Sequence, residues 1–287
     1  VFYLSASIDG EVRLSKLNRE VLFSRKHDTA VLWASLLDND QLLAVQTAAN
    51  EFHVYDLTTD NEQVFAAGGN VKAVSVLRNQ ALLAVAVDKY ILVWNVATGK
   101  AEIILQQETA AILSAIHLIA KEGNWELITS DYEGNAYRWN QDGEKLTTYP
   151  KVLSGPTTSM SIDSKAEKIV FRTLEGDFLT TYIGDILETS TALLFRDFLP
   201  NTSSFSGTDG VDRLVGLNQD SSLVYVFNFG SKHSDVDMQY SSKTTARCAI
   251  LSPDGKKLLS CNDENETVIF YLRNRITEQN ENLFSFD

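Results

Sequence analysis

One short unit recurs along this sequence: an apolar strand, a tight turn that usually carries an acidic residue and often Gly, Asn or Ser, and a second strand ending near an aromatic. The first copy runs from Phe2 to Leu14 around Asp9-Gly10, and the second from Leu42 through Asn50 to Tyr55-Asp56-Leu57. The third leads from Leu82 through Asp88 to Val93-Trp94-Asn95, and the fourth from Leu127 through Glu133-Gly134 to Tyr137-Arg138-Trp139-Asn140. Weaker copies lie at Ile169 to Tyr182 and Leu214 to Phe227. The seventh spans Leu258 to Tyr271 and follows a strand, Ala246 to Leu251, that ends in the turn Ser252-Pro253-Asp254-Gly255. Pro presets φ for such a turn, and Gly tolerates positive φ.

A repeat of about 40 residues with several short strands per unit constrains the fold more than composition does. A unit this small cannot bury both faces of its own sheet, so the copies must pack against one another. Radial packing gives every face a neighbour and shields most strand edges. The expectation is therefore an all-β chain, a single seven-bladed β-propeller over residues 1–287. Composition agrees: 44% of the residues are apolar and 10% aromatic, with only 4 Pro, which suits a large core and no disordered linker.

The endings Tyr55-Asp56, Trp94-Asn95 and Trp139-Asn140, with the Ser-Pro-Asp-Gly turn, resemble the WD40-repeat family. Repeats of that family end their third strand on Trp-Asp and often carry Ser-Pro-Asp-Gly between the first two strands. Lys26-His27, ahead of Val31-Leu32-Trp33, is similar to the family's Gly-His. The resemblance covers nearly the whole chain, although the Trp-Asp pair is absent from the first, fifth and sixth copies. It implies a platform that docks other proteins on its loop faces.

In the family, the His joins a hydrogen-bonded set with a turn Asp, a strand Ser or Thr and the third-strand Trp. Ala49 stands at the turn position of the copy after His27, so the resemblance implies an incomplete set there and a blade held by apolar packing. The family also commonly closes its ring by letting one chain end complete the blade at the other. The first copy opens directly on Phe2 to Ser7 and lacks an inner strand. The expected terminal strand that closes the ring is Leu283-Phe284-Ser285-Phe286.

No catalytic pattern accompanies the repeat: there is no Gly-x-Ser-x-Gly, no dinucleotide fingerprint and no complete phosphate loop. Val96-Ala97-Thr98-Gly99-Lys100 reads as a hairpin turn whose Gly serves a left-handed position. The same residues resemble the Thr-Gly-Lys of quinoprotein-type propellers, some of which are dehydrogenases. That likeness carries the alternative function, an enzymatic or membrane-complex assembly role. The acidic pairs Asp38/Asp40 and Glu264/Glu266 read as solvated turns in preference to general acids or calcium ligands.

His27, His53, His117 and His233 fall in different copies without His-Glu-x-x-His or paired-Cys spacing, so no metal, cofactor or catalytic residue is expected. His117 lies in the apolar run Ala110 to Ala120 and reads as a hydrogen-bonded core histidine. Cys248 and Cys261 flank the Ser-Pro-Asp-Gly hairpin. Two buried free thiols in a reducing compartment are the expectation, with a cross-hairpin pair left open because the sequence does not fix the register.

Charge narrows the partners. A formal net charge of −13 argues against direct nucleic-acid binding, and no apolar run approaches the roughly 18 residues of a membrane span. Between Asp28 and Val71 there is no Lys or Arg, while Asp28, Asp38, Asp40, Glu51, Asp56, Asp60 and Glu62 all fall in that interval. Such a field steers a basic protein partner, and Asp38, Asp40, Asp56, Asp60 and Glu62 are the candidate binding residues. The function expected is a non-catalytic protein–protein interaction scaffold, a subunit or module of a larger complex in the cytoplasm or nucleus. The chain begins at Val, which puts any targeting segment out of view and leaves a secretory lumen open.

Overall fold

The computed structural model describes residues 2–38, 40–97, 102–121, 123–149, 155–162, 168–174, 178–182, 192–195, 204–208, 211–217, 223–228, 236–241, 244–252, 256–264 and 267–272. These form two compact units, Val1–Pro150 and Lys151–Asp287. No helix among the described residues is long and apolar enough to cross a membrane.

The first unit holds four antiparallel sheets, each a simple meander. The first sheet is β1 (Phe2–Ala6), β2 (Glu11–Lys16) and β3 (Val21–Lys26). The second is β4 (Val31–Leu37), β5 (Leu42–Thr47), β6 (Glu51–Asp56) and β7 (Glu62–Ala66). The third is β8 (Val71–Leu77), β9 (Leu82–Val87), β10 (Tyr90–Asn95) and β11 (Glu102–Glu108). The fourth is β12 (Leu113–Lys121), β13 (Asn124–Asp131), β14 (Ala136–Asn140) and β15 (Lys145–Tyr149).

The second unit repeats the pattern. One sheet is β16 (Thr157–Ile162), β17 (Lys168–Thr173), β18 (Phe178–Tyr182) and β19 (Ala192–Phe195). The next is β20 (Ser204–Thr208), β21 (Val211–Leu217), β22 (Leu223–Asn228) and β23 (Val236–Ser241). The last is β24 (Ala246–Leu251), β25 (Lys257–Asn262) and β26 (Thr267–Tyr271).

Every copy found in the sequence is a hairpin of one sheet, the central one in each four-stranded sheet: β1–β2, β5–β6, β9–β10 and β13–β14 in the first unit, then β17–β18, β21–β22 and β25–β26 in the second. The first sheet has three strands, and among the described residues none pairs with the free edge of β1. The segment Leu283–Phe286 lies outside the described residues.

The opening strand of five of the seven sheets, β4, β8, β12, β16 and β24, carries a further repeat that composition does not announce. The register slips by one residue between Val31 and Trp33, Val71 and Ala73, and Leu113 and Ala115, and in the second unit between Thr157 and Ser159 and between Ala246 and Cys248. One extra residue bends the strand and adds local twist. In the last sheet this slip sets Cys248 opposite Cys261, with Cα atoms 5.1 Å apart and the sulfurs bonded. The expected free thiols are thereby corrected: the bulge, invisible in the sequence, fixes the register that pairs them.

Alternation along the second strand of the second and third sheets divides its side chains between two cores. Leu43 and Val45 pack with Val12, Leu14 and Phe23 of the first sheet, while Leu42 and Ala44 pack with Leu83, Val85 and Trp94 of the third. Leu82, Ala84 and Ala86 face the other way, onto Leu113, Ile116 and Trp139 of the fourth sheet. Strands buried on both faces read as unbroken apolar runs, which is why Leu42–Val45 and Leu82–Val87 stand out in the sequence. Gly10 in the first hairpin is required by space and conformation. Its φ is +92°, and a Cβ there would lie 2.3 Å from the His27 carbonyl oxygen, whose own N–H donates back to the Gly10 carbonyl.

The fourth sheet retains part of the polar signature that the family resemblance implied. The indole N–H of Trp139 donates to the Thr129 hydroxyl at 2.9 Å in a fully buried setting. The fully buried carboxylate of Asp131 accepts from the backbone N–H groups of Glu133 and Asn135, the Asn135 amide and the Tyr137 hydroxyl, at 2.7 to 2.9 Å. Removing one side of a buried pair strands the other. Thr129→Val should therefore lower unfolding free energy by about 1–3 kcal/mol in urea titration. In a Trp139→Phe background, which has no indole N–H to strand, the same change should cost much less. Equal costs in the two backgrounds would remove the hydrogen bond from the account.

Candidate functional site

An antiparallel meander places its first and third connections at the same end of the sheet. In the second sheet these are the β4–β5 turn, with Asp38 and Asp40, and the β6–β7 turn, which follows Asp56 and contains Asp60. They are stitched together: Leu57 N–H donates to the Gln41 carbonyl at 2.8 Å, and Gln41 N–H to the Asp38 carbonyl at 3.1 Å. Asp38, Asp40 and Asp60 adopt left-handed backbone with φ of 47°, 67° and 60°. Asp tolerates that conformation better than most residues, so turn geometry alone gives these positions a reason to be Asp. Topology thus gathers Asp38, Asp40, Asp56 and Asp60 at one end, with Glu62 at the first position of β7.

The structure then separates the five by what already holds them. Asp56 closes its own turn, accepting from the Thr58 hydroxyl at 2.6 Å, Thr58 N–H at 2.8 Å and Thr59 N–H at 3.1 Å. Those bonds, the Thr58 hydroxyl first, pull its carboxyl down to about 2. Asp60 is ion-paired with Arg25, which comes from β3 of the neighbouring sheet and lies over the Phe23 and Tyr55 rings at 4.9 and 5.9 Å. Glu62 accepts from His53 Nδ1 at 2.7 Å. Burial alone would raise the Glu62 carboxyl, but hydrogen bonds from His53 and Tyr55 outweigh it and leave the group below its usual range. Asp38 and Asp40 have no ion-pair partner among the described residues, and Asp40 is exposed. Sequence reading missed Arg25 as a neutralising group because it belongs to the preceding copy.

Beside these turns the first and second sheets part to leave a hollow of about 510 Å³. Leu14, Phe23, Leu36 and Leu57 form its apolar lining, and Asp40 and Asp60 stand at its polar side. Phe2 and Leu22, also in the lining, remain 47% and 43% exposed.

Further along the same seam, His27 is buried and its Nε2 lies 3.5 Å from the Tyr55 hydroxyl. The His27 and His53 rings meet edge to face with centroids 4.5 Å apart. Burial, and then the charge of His53, keep His27 below its ordinary value, while burial and Glu62 push the Tyr55 hydroxyl up. Beside the apolar packing expected of this blade, Tyr55 supplies a hydroxyl where the family carries Trp. His53 lies within β6 as expected. Glu51, at the start of β6, lies 3.8 Å from His53 Nε2.

His117 sits on β12 opposite Ile128, half-buried between the buried Ile116 and Leu118, with no hydrogen-bond partner for its ring among the described residues. It is thus at the margin of the core, and not the hydrogen-bonded core histidine expected. Among the described residues no three His, Cys, Asp or Glu side chains are placed to hold a metal ion. His233, Thr98-Gly99-Lys100 and Glu266 lie outside the described residues.

No family model matches the chain, and no curated protein matches it in sequence. Among solved structures it is similar to the β-propeller domain of Cps50 (Swd1) from Myceliophteria thermophila, with a TM-score of 0.73 and 14% identity. The match covers 92% of this chain and 90% of that one. The fold is that of a β-propeller.

Burial holds the His117 imidazole neutral and pushes its pKa down to about 4. The unfolded chain then binds more protons than the folded one as pH falls below the ordinary value of about 6.5, so stability is lost on acidification until about pH 4. Between pH 7 and pH 4.5 this single group should remove about 2–3 kcal/mol of unfolding free energy. His117→Leu should flatten the pH profile by that amount, as read by denaturant titration at the two pH values. Parallel profiles for the two proteins would show that His117 is not the group responsible.

Proposed function

We propose that the chain is one seven-bladed propeller over residues 1–287, its ring closed by a terminal strand laid on the free edge of β1. It serves as a non-catalytic scaffold that docks a basic protein partner as part of a larger complex. The observation that carries this reading is the convergence of two turns of the second sheet, which sets Asp38 and Asp40 beside Asp56 and Asp60 in an interval without Lys or Arg. The β-propeller fold supports it, since such a fold presents its turns on rigid sheets, where recognition residues are held in place.

Asp38 and Asp40 are the recognition residues, because folding has not already used their charge. Asp56, Asp60 and Glu62 shape and back the surface through Thr58, Arg25 and His53. A partner steered by this field associates fastest at low ionic strength and loses affinity as salt rises.

The test is affinity purification of the tagged chain beside its Asp38→Lys/Asp40→Lys variant, at low and high salt. A partner retained by the parent chain at low salt should fall by about tenfold or more with the variant, equivalent to about 1.4 kcal/mol. Because Asp38 and Asp40 adopt positive φ, an Asp38→Asn/Asp40→Asn variant, which removes the charge and keeps a residue that tolerates this backbone, should melt like the parent and lose the same partner. Partners captured equally by the parent and both variants, whatever the salt, would overturn the acidic-surface reading.

A further inference from the structure

We infer that the hollow between the first and second sheets seats an apolar side chain of the partner, carried on a short segment whose neighbouring Lys or Arg reaches Asp40. This rests on the proposed acidic docking surface and specifies the chemistry of what docks there.

The lining belongs to two sheets. Leu14 and Phe23 come from the first and Leu36 and Leu57 from the second, so the space is a gap in sheet-to-sheet packing and not a fold within one turn. About 510 Å³ exceeds the volume of any single side chain and lies within the range of recognition pockets. Two large apolar residues, Phe2 and Leu22, stay roughly half exposed at its edge, which gives an entering side chain apolar contact on leaving water.

Charge selects the occupant. Among the described residues no Lys or Arg lines the hollow, and the two ionisable ones that do, Asp40 and Asp60, are both acidic. Asp60 is already met by Arg25, whereas Asp40 is exposed and without an ion-pair partner among the described residues. An anionic segment is repelled by this rim, and an uncharged apolar one leaves Asp40 unused. A Leu, Ile, Met or Phe with a cation within a few residues satisfies both. Burying such a side chain is worth about 1.5–3 kcal/mol, roughly tenfold to more than a hundredfold in affinity.

A random peptide library displayed on phage and panned against the full chain tests the idea. Leu22→Glu and Asp40→Lys serve as separate counter-targets, each checked for an unchanged melting temperature because both side chains are exposed. The expected winners pair a large apolar residue with Lys or Arg within about three positions, and lose binding tenfold or more to either variant. Winners that are basic without an apolar residue, sensitive to Asp40→Lys and indifferent to Leu22→Glu, would overturn the seated side chain while leaving the acidic surface standing. Winners without basic residues, or no enrichment at all, would overturn both.

Discussion

Burial of both faces of the second strand of the second and third sheets is the constraint on which the first unit depends. β5 is buried at all six positions, and so is β9. Their odd and even residues serve different cores: Leu43 and Val45 look back to the first sheet, Leu42 and Ala44 forward to the third. No sheet could be stable by itself with such a strand at its centre, because half of the apolar surface would face water. Small residues at Ala44, Ala84 and Ala86 leave room for the large ones opposite, including Trp94 and Trp139. Stacking is therefore a requirement of the sequence.

The same constraint explains what could be read from residues alone. The central hairpins were legible because strands buried on both faces are continuous apolar runs joined by tight turns with recognisable chemistry. The outer strands were not. β7 alternates between exposed and half-buried positions, and β11 is mostly exposed, so both resemble loop sequence. Nor does composition mark the bulge near the start of β4, β8 and β12, where the extra residue is Leu32, Lys72 or Ser114. Such a slip decides which residues face each other, and the Cys248–Cys261 pairing turned on one of them.

The acidic interval was legible as charge but not as chemistry. Sequence places Asp38, Asp40, Asp56, Asp60 and Glu62 close together, and meander topology brings the aspartates to one end of the sheet. Their partners come from elsewhere: Arg25 from the preceding sheet, His53 from across the strand pair, and the Thr58 hydroxyl from within the turn. A carboxylate held by such bonds has less to offer a partner, because binding must first exchange one hydrogen bond for another. Counting acidic residues overstates the charge left uncommitted, because among the described residues Asp38 and Asp40 are the two of the five whose carboxylates make no ion pair or hydrogen bond.

The hollow falls between the first and second sheets, and the packing of the two seams accounts for it. Between the second and third sheets, Phe52, Phe65 and Trp94 interlock with centroids 4.9 to 5.9 Å apart, inside a buried cluster of thirteen residues. Between the first and second, the corresponding cluster has seven buried residues among those described. Tyr55 there stands in the position that Trp94 holds in the next copy, and turns its hydroxyl toward His27. Phe23 packs on the Tyr55 ring with centroids 5.0 Å apart, and together with Leu14, Leu36 and Leu57 it lines the hollow where the packing of this seam stops. A hollow with Phe2 and Leu22 roughly half exposed beside it keeps apolar surface in water, and an occupant that covers that surface gains what the seam leaves unburied.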